Sequence, residues 1–358
     1  MLIALLKGLW RSRSPHKVLE SAVRALDDGQ SRRAADLLAE AVRKAPRHAE
    51  CHFYAGLAQF RLGAHAEALR YFERAIVLDP DRALFRYQAA AMQLALGEAA
   101  AARALCEQAL ALDPLHKETH YLLASIDLPG PPYTALLGEI HRALAPHTYV
   151  EIGIASGRSL ERVLPATRVV GIDPAPRIAR PLPPSAQVFA MPSDEYFATR
   201  DVQSDVGGPV ELAFIDGAHV FEQALRDFIN IERNSTRDST ILLHDCYPLT
   251  RETAEREQRT VFWSGDVWRL VLILKKYRPE LTISTVAAAP TGLCVVRGLD
   301  PASRVLAEQH DAIVEEFMAI DYGVLEQGDK AALLNLVPND AERLLALVAG
   351  APRRATPA

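Results

Sequence analysis

A fixed period of 34 residues runs through the first third of the chain and limits what that part can fold into. Gly29, Gly63 and Gly97 recur at that spacing, as do Pro46, Pro80 and Pro114, Ala34, Ala68 and Ala102, and Ala41, Ala75 and Ala109. Self-similarity at this length marks a stacked array in which each unit buries its apolar face only against its neighbours. Each glycine stands 17 residues before its proline. Between them lies an amphipathic stretch such as AEALRYFERAIVLDP, with Ala68, Phe72, Ala75 and Ile76 on one stripe. Small alanines let two helices approach, the glycine permits the turn between them, and the proline closes the second helix. The pattern predicts helix pairs over 15–48, 49–82 and 83–116, with a further helix over 117–126 capping the stack.

These spacings resemble the tetratricopeptide repeat. His52 and Arg86 stand where that family often has Trp, and Cys106 replaces a large aromatic. The resemblance implies an α-solenoid whose concave surface takes a polypeptide partner. The alternative is a stack that only covers the second domain or makes a contact in a homo-oligomer.

A chain of 358 residues is long enough for two or three domains, and 49% hydrophobic with 24% charged residues is globular composition. The stretch DLPGPPY (127–133) reads as a linker. The expected division is an N-terminal helix over 1–14, repeats over 15–126, the linker, a catalytic domain over 134–300 and a helical extension with a tail over 301–358. No apolar run is long enough to span a membrane. The opening MLIALLKGLWRSRS lacks the charge order of a signal peptide. Cys51, Cys106, Cys246 and Cys294 form no CxxC pair. Both features fit reduced thiols in a cytoplasmic protein. Net charge is +3 over 1–126 and −8 over 127–358. An acidic larger half argues against a nucleic-acid substrate.

From Thr148 onward short apolar runs alternate with helical stretches. TYVEIG, RVVGIDP, AQVFAM, VELAFID and STILLHD read as strands, and IASGRSLERVL, HVFEQALRDFINIE and DVWRLVLILKKY as helices. LTISTVA and GLCVVRG close the series as a hairpin with one reversed strand. This alternation predicts a doubly wound, mostly parallel α/β sheet with a terminal antiparallel strand. The first strand runs into Glu151-Ile-Gly153-Ile-Ala-Ser-Gly157, and Asp173 ends the second, 22 residues after Glu151. A glycine turn there lets backbone approach a ligand, and an acid there can accept from both hydroxyls of a ribose. The G-x-G-x-x-G of a dinucleotide site is absent.

The acid, then Gly, then a second Gly four residues later resembles motif I of class I S-adenosylmethionine-dependent methyltransferases, a Rossmann-like fold. The resemblance implies that Glu151, Gly153 and Gly157 line the methionine side of S-adenosylmethionine, that Asp173 holds the ribose, and that Ser193 and Asp194 contact the adenine.

The fourth strand ends FIDGAH and the fifth LLHDC. Adjacent strand ends would bring Asp216, His244 and Asp245 together as ligands for a hard divalent cation such as Mg²⁺, with His219 facing the same space as a general base. These pairs look like the metal-dependent branch that O-methylates sugars of macrolide antibiotics, with its cephalosporin-hydroxylase-like relatives. His244 stands where that branch commonly has an acid, which lowers the site's charge and favours a softer ion. The long segment Cys246–Asp266 reads as a functional loop. Its Trp263 is placed to stack on a substrate, whereas Trp268 is expected in the core. The expected function is methyl transfer to a small-molecule or glycan hydroxyl. The alternatives are a scaffold with a non-catalytic cofactor domain and a protein methyltransferase whose repeats recruit the substrate.

Overall fold

The computed structural model describes residues 15–349 apart from Arg180 and Val261. The expected N-terminal helix over 1–14 and the tail from 350 lie outside the described residues. The chain divides into two compact units, one up to Ile126 and one from Asp127.

In the first unit the period becomes three helix pairs: Pro15–Asp27 with Ser31–Lys44, Ala49–Arg61 with His65–Leu78, and Ala83–Ala95 with Ala99–Leu112. Gly29, Gly63 and Gly97 have φ of 74°, 76° and 88°, and an added Cβ would meet nothing within 4 Å at any of them. They are therefore needed for the left-handed turn and not for space. The recurring alanines Ala34, Ala68, Ala41 and Ala75 are fully buried in the interhelical cores.

The departures at the Trp position become a repeated latch. His52 Nε2 lies 3.0 Å from the carbonyl of Pro46 and His120 Nε2 lies 2.8 Å from that of Pro114. Arg86 Nη1 donates to the carbonyl of Pro80. The three latch residues are themselves 34 apart. His120 therefore makes the helix Lys117–Asp127 the first helix of a fourth, incomplete unit.

The second unit is the expected sheet. Its strands are β1 (Thr148–Ile152), β2 (Arg168–Ile172), β3 (Ala186–Phe189), β4 (Val210–Ile215), β5 (Ser235–His244), β6 (Thr282–Val286), β7 (Leu293–Arg297) and β8 (Leu336–Val337). They lie in the order β3-β2-β1-β4-β5-β7-β6-β8. β7 is antiparallel to both β5 and β6, and the other pairings are parallel. Every residue of β1 is buried, as a central strand covered on both faces requires. The core packs Tyr149, Val169, Leu212, Phe214, Leu242 and Val295 against the helix Tyr133–Leu144. Leu344 and Val348 of the C-terminal helix Ala341–Ala349 enter the same cluster. The residues after 300 thus contribute an edge strand and a covering helix to the sheet.

One predicted element fails. After β1 the chain forms only a single turn of 3₁₀ helix, Leu160–Arg162, and not the α-helix expected from IASGRSLERVL. Ala155 and Gly157 both have positive φ, at 42° and 77°. Ser159 spends its hydroxyl on Glu151. Left-handed residues and side-chain bonding of this kind compete with the helix ladder.

Candidate active site

A cavity of about 510 Å³ opens at the carboxyl ends of β1, β2, β4 and β5, where a doubly wound sheet reverses its strand order. β1 and β2 deliver Gly153 and Asp173 to it, the segment after β3 delivers Ser193, and β4 and β5 deliver Asp216, His219, His244 and Asp245. The helix Phe221–Arg233 adds Gln223 and Asp227, and the loop after β5 adds Phe262 and Trp263.

Asp173 accepts backbone N–H bonds from Ala155 (2.8 Å) and Ala175 (2.7 Å), one on each carboxylate oxygen. This fixes the plane of a carboxylate that borders the cavity. Gly153, at φ 87°, is essential for close approach: an added Cβ would lie 1.9 Å from the carbonyl oxygen of Asp216. It keeps the ends of β1 and β4 together.

Glu151 and Gly157 do not border the cavity. Glu151 is fully buried and accepts hydrogen bonds from Tyr149 Oη at 2.6 Å and from Ser159. Gly157 faces Ile178 and Leu182. Burial pushes the Glu151 carboxyl up from 4.5 to about 7, against the opposing effect of its two hydroxyl partners. The folded value is raised, so this group's stability is fully present below the unfolded value and is lost as pH rises through about 7. Glu151→Gln is therefore expected to match the wild type at pH 4 and to exceed it by roughly 3 kcal/mol above pH 8. Urea midpoints at the two pH values check this, and a gap that does not change with pH would reject it.

Both histidines reach the two carboxylates, so the expected ligand His244 and the expected base His219 share one cluster. The ligand atoms that converge within 4.8 Å of one another belong to Asp216, His219 and Asp245. His219 Nδ1 lies 3.2 Å from Asp245 Oδ2, and Nε2 lies 3.6 Å from Asp216 Oδ1. His244 Nδ1 stands 3.2 Å from each carboxylate but is not aligned for a hydrogen bond to either. Its ring packs against Tyr133, at 4.2 Å between centroids, and Phe214. Asp245 takes φ 61° and leaves the strand, and His219 takes φ 55° and turns back toward it. Burial opposes charge at Asp216, His219 and His244, yet the attraction between opposite charges overrides it. Asp216 is held well below the usual carboxylate range by His244 and His219, and His244 is raised well above its ordinary value. His219 is raised to about 9 by Asp245 and Asp216.

Trp263 is not free to stack on a ligand with both faces. Its ring lies parallel to His219, with centroids 4.8 Å apart at 15°, and its carbonyl sits 2.6 Å from His219 Nδ1. Its Nε1 donates to Glu255 O at 2.6 Å. The loop is anchored by Asp266, whose carboxylate accepts from Phe221 N at 2.9 Å and pairs with Arg256 at 2.6 Å. Trp268 is in the core, 1% exposed.

Ser193 lines the cavity. Asp194 does not: it is exposed and pairs with Arg226 at 3.2 Å. Sequence reasoning missed Gln223, Asp227 and Tyr133. The signal for the first two was their i, i+4 spacing on the helix that follows His219. Tyr133 was read as the end of the linker.

Two family models agree with this architecture. A family model described as tetratricopeptide repeat matches residues 19–83, and one described as methyltransferase domain matches residues 150–246. No curated protein matches the chain. Among solved structures, the first such repeat domain of Spaghetti (RPAP3) bound to an HSP90 peptide is 21% identical with a TM-score of 0.31, covering 31% of this chain and 89% of that one. The Yersinia enterocolitica type III secretion chaperone SycD, in complex with a peptide of the translocator YopD, is 18% identical with a TM-score of 0.29, covering 31% and 85%. MamA is 20% identical with a TM-score of 0.32, covering 34% and 71%. The chain thus joins N-terminal tetratricopeptide repeats to a methyltransferase domain.

Proposed function

We propose that the second unit is an S-adenosylmethionine-dependent methyltransferase that acts on a hydroxyl of a small-molecule or sugar acceptor with the help of a divalent cation. The observation that carries this is the composition of one cavity. Ribose-holding chemistry (Asp173) and a seat for a polar base edge (Ser193, Asp227) share it with two carboxylates and an imidazole (Asp216, Asp245, His219).

Both absent groups fit. The cavity has mainly apolar walls with a few convergent polar groups, as nucleoside sites do. The oxygen and imidazole donors of Asp216, Asp245 and His219 suit Mg²⁺ or Mn²⁺. When bound, the cofactor supplies an electrophilic methyl group and the cation lowers the pKa of a coordinated hydroxyl. The chain's own part is orientation. Asp173 fixes the ribose, Phe262 and Trp263 wall off one side, and Trp263 holds the His219 ring in plane. Without a cation, the two carboxylates keep His219 protonated up to about pH 9, so it takes the acceptor's proton only above that pH. With one, it is the third ligand, and His244 stands behind the carboxylates.

Asp173→Ala is expected to weaken S-adenosylhomocysteine binding by ~10- to 100-fold, the loss of hydrogen bonds to a charged acceptor. Titration calorimetry on the folded variant checks it, and unchanged affinity would remove Asp173 from the ribose. The function itself is tested by incubating the full chain with methyl-labelled cofactor and a lysate. Label in the small-molecule fraction supports the proposal. Label confined to protein bands would mean that the repeats recruit a polypeptide substrate. Cofactor binding without any labelled product would leave a scaffold.

A further inference from the structure

We infer that residues 263–266 form a backbone clamp on His219, that Gly265 is the positioning residue that permits it, and that the clamp occupies Nδ1 of the ring so that Nε2 is the nitrogen left for the cation or the acceptor. The inference rests on the methyl-transfer reading only for the use made of Nε2.

His219 has φ 55°, a left-handed conformation that a residue with a side chain keeps only where its surroundings impose it. The loop after β5 supplies those surroundings. Trp263 stacks on the ring, and its carbonyl lies 2.6 Å from Nδ1. A carbonyl only accepts, so Nδ1 carries the hydrogen. The backbone N–H of Asp266 donates to the His219 carbonyl at 3.3 Å. The Asp266 carboxylate accepts at 2.9 Å from the N–H of Phe221, the first residue of the following helix. The other ring nitrogen, Nε2, faces Asp216 Oδ1 at 3.6 Å.

Gly265 sits where these contacts meet. Its φ is 55°, and an added Cβ would lie 1.8 Å from the His219 carbonyl oxygen and 3.0 Å from the His219 Cβ. The two nearest atoms are backbone, so no flexible side chain can yield there. Any larger residue must push the loop off His219 or His219 out of its place. The loop is also fastened to itself. Ser264 is fully buried and donates to the Thr253 carbonyl through both N–H and Oγ, at 3.0 and 2.9 Å. Trp263 Nε1 donates to Glu255 O at 2.6 Å. A rigid main-chain carbonyl that takes one ring N–H fixes the direction in which the other nitrogen acts.

The test is a ¹H–¹⁵N spectrum of the full chain labelled at the histidine nitrogens. The wild type should show a ring N–H signal protected from exchange with water, identified by cross-relaxation with the Trp263 ring and by its loss in His219→Ala. Gly265→Ala should lose the same signal and keep those of His52 and His120, whose ring nitrogens bond carbonyls in the repeats. Gly298→Ala controls for backbone strain: Gly298 has φ 78°, but an added Cβ would meet nothing closer than 3.5 Å, so the His219 signal should stay. Mn²⁺ titration followed by electron paramagnetic resonance gives a second readout. Gly265→Ala should weaken Mn²⁺ binding by ~10- to 100-fold, the usual cost of losing a group that orients a ligand. In a His219→Ala background the same change should cost less than ~2-fold.

A wild type without the protected His219 signal would overturn the inference whether or not any variant folds. So would a Gly265→Ala protein that retains the signal, or its loss in Gly298→Ala as well. Equal loss of Mn²⁺ affinity in the two backgrounds would show that Gly265 does not act through His219, and would overturn it too. A wild type that takes up no Mn²⁺ is a different result: it would bring down the cation reading, and the ring signal would decide the clamp alone.

Discussion

Asp245→Asn should abolish methyl transfer, with a loss of ~10³-fold or more, while leaving affinity for S-adenosylhomocysteine within about 2-fold of the wild type. The change is isosteric. The oxygen that accepts from Thr291 Oγ1 at 2.7 Å is kept, so that contact at the exit of β5 survives the change. What is lost is one of two carboxylates in a three-group set whose ligand atoms all lie within 4.8 Å of one another. A carboxylate and an imidazole alone are too few to hold a weakly bound hard cation. Affinity for the cofactor product should survive because Asp173 and Ser193 sit at other strand ends.

Exhaustive chelation separates the two roles open to His219. If activity vanishes and returns with Mg²⁺ or Mn²⁺, His219 is a ligand, and His219→Ala should raise the cation concentration needed. If the chelated enzyme keeps full activity, the cation is discarded and His219 is the base. His219→Ala should then cost ~10²–10⁴-fold in kcat. An Asp245→Asn protein with wild-type turnover would discard both assignments.

Arg278→Ala should destabilise the second unit by about 3–5 kcal/mol, a large share of the ~5–15 kcal/mol available to a domain. The Arg278 side chain is 1% exposed and lies across Glu232, itself 5% exposed, with N–O distances of 2.6 and 3.0 Å. Glu232 also accepts from the backbone N–H of Asp300 at 3.1 Å. The pair therefore ties three places together: the helix Phe221–Arg233, the residue that ends the helix Trp268–Tyr277, and the exit from β7. Truncating the arginine strands a buried carboxylate with one backbone donor, and that residual charge dominates the cost. The combined change Arg278→Met with Glu232→Leu should recover most of the loss, since burying the pair was expensive to begin with. Urea midpoints for the single and double variants check both statements. A single variant within 1 kcal/mol of wild type would mean that solvent reaches Glu232.

The repeat half was legible because its information is local and redundant. The 34-residue spacing of Gly29, Gly63 and Gly97 reports a left-handed turn at each, and the buried alanines report the closest approach of each helix pair. Hydrophobic strands ending in Asp173, Asp216 and Asp245 were legible for a related reason. A parallel sheet places the ends of its strands at one edge, so residues at those ends share a site even when far apart in sequence.

Side-chain direction was not legible. Both imidazoles reach the carboxylates, and which ring atoms do so depends on side-chain direction that no periodicity records. Asp227 and Gln223 looked like the polar positions of an amphipathic helix until packing turned that face into the cavity. Asp194 looked like a site residue until Arg226 held it outside. The two-residue β8 is too short for alternation to show, yet it closes the sheet edge beside β6. Sequence thus determined the elements and the strand ends, because backbone propensity and period are encoded locally. Tertiary structure decided which side chains meet, because that depends on strand exits, helix rotation and competing partners set by residues distant in the chain.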